Sequence, residues 1–315
     1  NTMLLAAAPA IAFANKLFLS SGATSPLLPS LFPDNLFLVS FTDNAQASVG
    51  AQYAYHQLGM KTVGVVFDRR MQYAETLATY FSNAFQHFGG KTVFRYGVNP
   101  STTANKTILN RLNVLLHPKR RHVVPVIHKR ILGGLFYAHI DMVYLAMDPK
   151  EVPHYIHLLR QAGFKGIIMG GDSYIASWII KQSKQPVNNV YFTALRIMTN
   201  LPGARVSPQQ DRLARNFVKA YQHRYPKAAV NYYAGLGYDT INLLARAIRQ
   251  ADSTKPEAIK KALRRLKPPF DGVMGRIKYS QADVISSIRK VTVHKIENSK
   301  LSVKGSYFPS YLPRL

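Results

Sequence analysis

Three kinds of feature are scarce or missing in this chain of 315 residues. Cysteine is absent, which excludes a disulfide framework, thiol catalysis and a zinc site with cysteine ligands. No stretch of 18 apolar residues occurs, so we expect no membrane-spanning helix. Acidic residues number only 15 against 41 lysines and arginines, which gives a formal net charge of +26. Chemistry that needs paired carboxylates therefore has few residues to draw on.

The positive charge has two interpretations, an anionic macromolecular partner or a solvated basic surface. The basic residues are scattered through all predicted elements, and aromatic residues do not alternate with them as stacking platforms would. No helix-turn-helix, RNA-recognition or zinc-finger spacing is present. The sequence therefore favours the basic surface and argues against a nucleic-acid partner.

Patterns typical of enzymes and cofactor sites are also missing. The chain has no G-x-S-x-G nucleophile turn, no P-loop and no G-x-G-x-x-G loop. Glu151, His154 and His157 have helical spacing, but Pro153 interrupts them and the leucines that follow indicate an ordinary amphipathic helix. We therefore predict no enzyme activity, no metal and no cofactor.

What is present indicates an α/β fold. At 47% apolar residues the chain can bury a sizeable core, and its length suits two domains. Predicted strands alternate with predicted helices, which is typical of right-handed βαβ units in a doubly wound parallel sheet. The predicted strands are 36–41, 61–67, 91–96, 141–146 and 166–170, and the predicted helices are 45–58, 73–88, 103–116 and 151–162.

The stretch from Tyr232 to Tyr279 is the most distinctive part of the sequence. Apolar residues at helical spacing predict a helix through Ile241 and Ile248, and a second helix follows after a capping box of Thr254 and Glu257. Prolines and a glycine then end this second helix, and the segment 273–279 is predicted to be a strand.

This succession closely resembles the C-terminal segment of type I periplasmic binding proteins, the leucine/isoleucine/valine-binding group, and the similarity runs from about residue 6 to residue 296. The resemblance implies two doubly wound lobes joined by a multi-strand hinge. We assign residues 1–41 and 198–282 to the first lobe and residues 42–197 and 283–315 to the second. Family members begin with further βα units, so we expect the first lobe to be incomplete here.

The resemblance also implies the ligand site. The turn after a strand at 17–20 would hold a carboxylate, Tyr73 would cover the ligand, and Asp172 would bind an ammonium where leucine-binding members have Glu. Each residue also has a structural interpretation: an ordinary turn, a tyrosine packed on its own lobe, or a helix N-cap. The predicted ligand-binding residues are Gly22, Ala23, Thr24, Tyr73, Asp172, Met147 and Asp148.

By resemblance, the function is amino-acid binding in the cleft between the lobes, in the periplasm, for the membrane permease of an ABC transporter. Residues 3–14 are predicted to be an internal helix rather than a signal peptide, because no charged segment precedes them. An alternative remains open: a ligand-free envelope regulator of the same fold, similar to penicillin-binding-protein activators. A basic insertion at 115–135 would then be its working surface.

Overall fold

The structure is a computed structural model that describes residues 1–32, 34–100, 140–183, 185–196, 207–228, 230–280, 284–285 and 289–315. The helices of the described residues are α1 Thr2–Phe13, α2 Leu28–Leu31, α3 Asp43–His56, α4 Gln72–His87, α5 Val152–Gln161, α6 Ala176–Gln182, α7 Pro208–Arg224, α8 Tyr232–Ala251 and α9 Pro256–Arg264. The strands are β1 Phe18–Ser20, β2 Leu36–Leu38, β3 Thr62–Asp68, β4 Lys91–Val98, β5 Met142–Ala146, β6 Ile167–Gly170, β7 Val190–Ala194, β8 Phe270–Gly272, β9 Gly275–Ile277, β10 Val291–Glu297 and β11 Lys300–Tyr307.

The described residues divide into two compact units. The first unit contains residues 1–46, 194–292 and 303–309, and the second contains residues 47–193, 293–302 and 310–315. These units are defined by contacts, whereas the predicted lobes are the bodies that would move about a hinge. The predicted lobe boundaries therefore stay a prediction.

A seven-stranded sheet has the order β11-β10-β7-β6-β5-β3-β4, and its strands β3, β4, β5 and β6 lie wholly in the second unit. Strand β3 pairs in parallel with β4 and β5, and the pairs β5–β6 and β6–β7 are also parallel. Every residue of β5 is buried, as are all residues of β3 after Thr62. Continuous apolar runs are typical of parallel strands that are covered on both faces. The predicted α/β class with parallel sheet is confirmed.

The first unit contains a short parallel pair of strands, β1 and β2. The predicted N-terminal helix is present as α1, and its Leu4 joins an apolar cluster with Leu28, Leu36 and Leu38. Other side chains of α1 face solvent: Met3 is 90% exposed and Phe13 is 96% exposed. Among the described residues, no helix combines the length and apolarity needed to cross a membrane.

The stretch Tyr232–Tyr279 forms α8, α9 and an antiparallel hairpin of β8 and β9. The prediction of one strand over 273–279 is therefore wrong, because the chain turns back between Gly272 and Gly275. Asp239 of α8 explains this turn, since its carboxylate accepts the backbone N–H groups of Val273 (2.7 Å) and Met274 (2.9 Å). A Cβ at Gly272 would lie 2.3 Å from that carboxylate, so the close approach requires glycine.

The capping box predicted for α9 is not formed. Lys255 occupies the N-cap position and Pro256 the first helical position, which suits proline because it has no N–H to satisfy. Glu257 instead contacts the Lys260 ammonium at 2.7 Å. The predicted helix 103–116 and the basic insertion 115–135 lie outside the described residues.

Candidate functional site

Predicted site residues of the second unit follow three neighbouring strands. Tyr73 comes after β3, Met147 and Asp148 come directly after β5, and Asp172 comes after β6. Because these strands are parallel, their carboxyl ends meet at one edge of the sheet, which is where open α/β sheets bind ligands.

The structure brings Tyr73 and Asp172 into direct contact. The Tyr73 hydroxyl donates to Oδ1 of Asp172 at 2.5 Å, across 99 residues of sequence. Asp172 is only 9% exposed, and Tyr73 is half-buried at the start of α4. A phenol that donates to a carboxylate fixes the orientation of that carboxylate. Two residues that the sequence proposed separately thus form one polar pair.

Met147 and Asp148 differ from this pair in their surroundings. The Met147 side chain is fully buried, and it therefore contributes to the core behind the sheet edge. Asp148 is partly exposed, and its carboxylate accepts the backbone N–H of Lys150 at 2.9 Å. Its carbonyl accepts the N–H of Glu151, which starts the turn into α5. Asp148 therefore supports the local backbone next to the edge.

The sequence did not single out an ion-pair chain at this edge. Asp68, the last residue of β3, is fully buried and accepts from Nε (3.0 Å) and an η-nitrogen (2.8 Å) of Arg70. The hydrogen bond to Asp68 raises the pKa of Arg70, and Glu151 lies 3.5 Å from the same guanidinium. The signal was present as the Asp-Arg-Arg sequence at the end of β3. These ion pairs stabilise the turn that leads from β3 to Tyr73.

In the first unit, the turn after β1 carries Gly22, Ala23 and Thr24. The N–H of Ala23 donates to Oγ of Ser20 at 3.1 Å. The N–H of Thr24 donates to Oδ1 of Asn1 at 3.0 Å. Gly22 is exposed, and a Cβ placed there would meet no atom within 4 Å. The Thr24 N–H, which is predicted to donate to a ligand carboxylate, thus already donates to the side-chain amide oxygen of Asn1.

The contacts of Asn1 continue beyond Thr24. The same Oδ1 accepts the N–H of Ser25 at 3.2 Å, and the Asn1 amide donates to Asp43 at 3.4 Å. Asp43 is fully buried at the start of α3, and its N–H donates to the Thr24 carbonyl at 2.7 Å. One amide oxygen therefore occupies two adjacent backbone donors, an arrangement that a ligand carboxylate would also satisfy.

The described residues contain no group of three or more histidine or acidic side chains placed to hold a metal ion. Glu151 faces Arg70, whereas His154 and His157 lie exposed on α5. The three residues that share helical spacing in the sequence thus have different neighbours in space.

Comparison with known proteins gives consistent results. A family profile described as periplasmic binding protein matches residues 2–299. The Leu/Ile/Val-binding protein homolog 1 of Brucella abortus is 21% identical over 264 residues, which cover 84% of this chain and 61% of that protein. The chain thus spans about three fifths of the length of this curated relative.

Two solved structures are similar in fold. The leucine binding protein LivK from Thermotoga maritima is 25% identical, with a TM-score of 0.75 over 97% of this chain and 77% of that one. A fatty acid ABC transporter substrate-binding protein from Thermomonospora curvata is 17% identical, with a TM-score of 0.74 over 99% of this chain and 74% of that one. The family and these neighbours are solute-binding proteins and not enzymes, in agreement with the sequence.

Proposed function

Because the chain belongs to the family of periplasmic binding proteins, we propose that it binds an amino acid in the periplasm for an ABC transporter. The observation that carries this proposal is the hydrogen bond between Tyr73 and Asp172 at the carboxyl edge of a parallel sheet. A buried carboxylate held by a phenol suits the recognition of an ammonium group, which needs an anion in a fixed place.

Each predicted residue has a role in binding a zwitterionic ligand. Asp172 takes the ammonium, and the Tyr73 ring covers the aliphatic part of the ligand. By the family resemblance, the backbone of Gly22 and the N–H and hydroxyl of Thr24 hold the carboxylate, which takes the place of the Asn1 amide oxygen at Thr24, and Ala23 lies between them. Met147 packs behind the sheet edge, and Asp148 supports the backbone next to it.

The charge of Asp172 also bears on which solute is bound. Similar folds belong to proteins described as binding leucine and fatty acid, so the fold by itself does not select the solute. A fatty acid has no cationic group, and a buried carboxylate without such a partner would disfavour an anionic ligand. This consideration favours an amino acid, and among amino acids the aliphatic ones that the named relatives bind.

Isothermal titration calorimetry with the common L-amino acids, a fatty acid and benzoate tests the proposal. We expect saturable binding of an aliphatic L-amino acid, and loss of this binding in Asp172→Ala. The matched control is Asp271→Ala, which removes a carboxylate of the β8–β9 hairpin that pairs with Arg276 at 2.6 Å.

Absence of binding to every amino acid by a folded protein would contradict the proposal. That outcome would favour the alternative of a ligand-free envelope regulator, whose partner would be another protein.

A further inference from the structure

The second unit contains a cavity that the proposed amino-acid site does not use. Its volume is about 600 Å³, and it is lined by α5, α6 and the segments that lead into β6 and β7. This volume is within the range of pockets that bind small organic molecules, which is about 300–1,000 Å³. None of the residues of this unit that are predicted to bind the amino acid lines the cavity; these are Tyr73, Met147, Asp148 and Asp172.

The ionisable side chains that line the cavity are basic. His154 and His157 lie on α5, Lys150 precedes that helix, and Lys165 contributes from the turn before β6. The spacing of three residues places His154 and His157 side by side along the helix. No aspartate or glutamate occurs among the described lining residues. The cavity wall therefore favours an anion.

The cavity also has an aromatic surface. Trp178 on α6 lines it and is 41% exposed, and it is the single tryptophan of the chain. Phe164 adds a buried ring to the wall. A large indole left partly in water gains free energy when a flat apolar group covers it, in addition to the gain from ring stacking. The wall therefore favours a ring next to the anionic group.

Hydrogen bonds hold the walls in place. The Arg160 guanidinium donates to the carbonyls of Phe164 (2.7 Å), Gly166 (2.8 Å) and Asn188 (2.8 Å), so one side chain links α5 to the segments before β6 and β7. Burial lowers the pKa of Arg160, although Glu297 opposes this effect. The N–H of Val187 donates to Ser299 at 3.1 Å. A wall that is already fixed loses little conformational entropy when a ligand binds.

From the cavity, its basic wall and its exposed indole, we propose that the second unit binds a small aromatic anion, with a carboxylate or phosphate at His154 and His157 and a ring on Trp178. The proposed site is additional to the amino-acid site and does not depend on it.

Trp178 provides the test, because light at the red edge of the absorption band excites it selectively over tyrosine. Benzoate and phenyl phosphate are the probes for the two anionic groups. Benzyl alcohol supplies a ring without charge, and inorganic phosphate supplies charge without a ring. We expect at least one aromatic anion to change Trp178 fluorescence saturably, with an affinity about tenfold or more above both controls. Equal responses to all four compounds would overturn the proposal.

Matched variants locate the binding. The double variant His154→Gln/His157→Gln keeps polar side chains at exposed positions but removes the imidazoles, and we expect affinity for the aromatic anion to fall roughly threefold to tenfold. The control is Lys91→Gln, an exposed lysine on β4 that does not line the cavity. Equal affinity of the double variant and the control would also overturn the proposal.

A third measurement separates this site from the amino-acid site. Calorimetric titration with leucine should give the same result for the double variant and the native protein, and the fluorescence response to phenyl phosphate should persist with leucine present. If no amino acid binds at all, the proposed function fails while the fluorescence test is unaffected. If leucine abolishes the fluorescence response, the independence of the second site is wrong.

Discussion

Two buried aspartates, one in each unit, have different roles. Asp239 accepts two backbone N–H groups, and the nearby Arg289 guanidinium adds an electrostatic contribution, so this carboxylate fixes the turn of the β8–β9 hairpin. Asp172 instead accepts the phenol of Tyr73, which stands at the end of another strand. A carboxylate that holds the backbone stabilises the fold, whereas we propose that the one held by a side chain at a sheet edge binds a ligand. Substitutions should therefore separate stability from affinity.

The largest effect is expected from Asp239→Ala. The substitution leaves two N–H groups without acceptors and removes the negative charge near Arg289, which is only 5% exposed. We expect the free energy of unfolding to fall by about 3–5 kcal/mol. Chemical denaturation measures this change. The control Asp271→Ala removes a partly exposed ion pair with Arg276 and should cost less than about 1 kcal/mol. Similar losses for both variants would contradict the assigned role of Asp239.

The pH dependence of stability offers a second test of Asp239. Burial raises its pKa from 3.8 to about 6, although Arg289 and the two N–H groups oppose the rise. The folded state thus binds the proton more tightly than the unfolded state, so this group makes stability fall as pH rises from about 4 to about 6. The expected loss is about 3 kcal/mol.

Other groups change stability in the opposite direction, because hydrogen bonds to lysines lower the pKa of Glu257 and Glu297. Unfolding curves of the native protein and Asp239→Asn should therefore be compared over this pH range, and their difference isolates Asp239. A difference that does not vary with pH would show that Asp239 titrates alike in both states.

Asp172→Asn should affect affinity more than stability. The amide oxygen can still accept from Tyr73, whereas the charge for the ligand ammonium is lost. We expect amino-acid binding to weaken by about 1.5–3 kcal/mol, roughly tenfold to a hundredfold, with little change in the denaturation midpoint. Calorimetry and denaturation of the same sample measure both quantities. A large loss of stability with unchanged affinity would assign Asp172 a role like that of Asp239.

Tyr73 allows the hydrogen bond and the ring to be separated. Tyr73→Phe keeps the ring and removes the donor to Asp172, so we expect amino-acid affinity to fall by about 0.5–1.5 kcal/mol. Tyr73→Ala also removes the covering ring and should cost more. The two calorimetric titrations check the order of these effects. Equal losses would mean that the ring has no contact with the ligand.

The smallest effect is expected at Asn1. Its amide oxygen occupies the N–H groups of Thr24 and Ser25, which a ligand carboxylate would otherwise use. Asn1→Ala exposes these donors, so amino-acid affinity should rise by up to about 1 kcal/mol. Weaker binding in this variant, measured by the same titration, would mean that Asn1 itself contributes to the site.

The sequence predicted those features that depend on local pattern. The buried run 61–67 predicted β3, and the rule for strand ends together with the family resemblance pointed to Tyr73 and Asp172. Contacts between distant segments carried no local signal. Asp239 lies 34 residues before Val273, and nothing in its own helix indicates that it turns the hairpin. The expected capping box failed because Lys255, between the two capping residues, became the N-cap itself.

The cavity around Trp178 was hidden for the same reason. The spacing of Glu151, His154 and His157 by itself indicates only a metal face or an ordinary amphipathic helix. The relation of the two histidines to α6 and to the segment held by Arg160 arises from the packing of three separate segments. Such a cavity becomes visible only when the segments are placed together in space.

A double-mutant cycle between Asp172 and the ligand ammonium tests the central claim most directly. Calorimetry would compare leucine with isocaproate, which is leucine without the ammonium, in the native protein and in Asp172→Asn. We predict a coupling free energy of about 1.5–3 kcal/mol, because the loss of the ammonium should matter only while the carboxylate is present. A coupling near zero, with leucine and isocaproate discriminated equally by both proteins, would contradict recognition of an amino acid through Asp172.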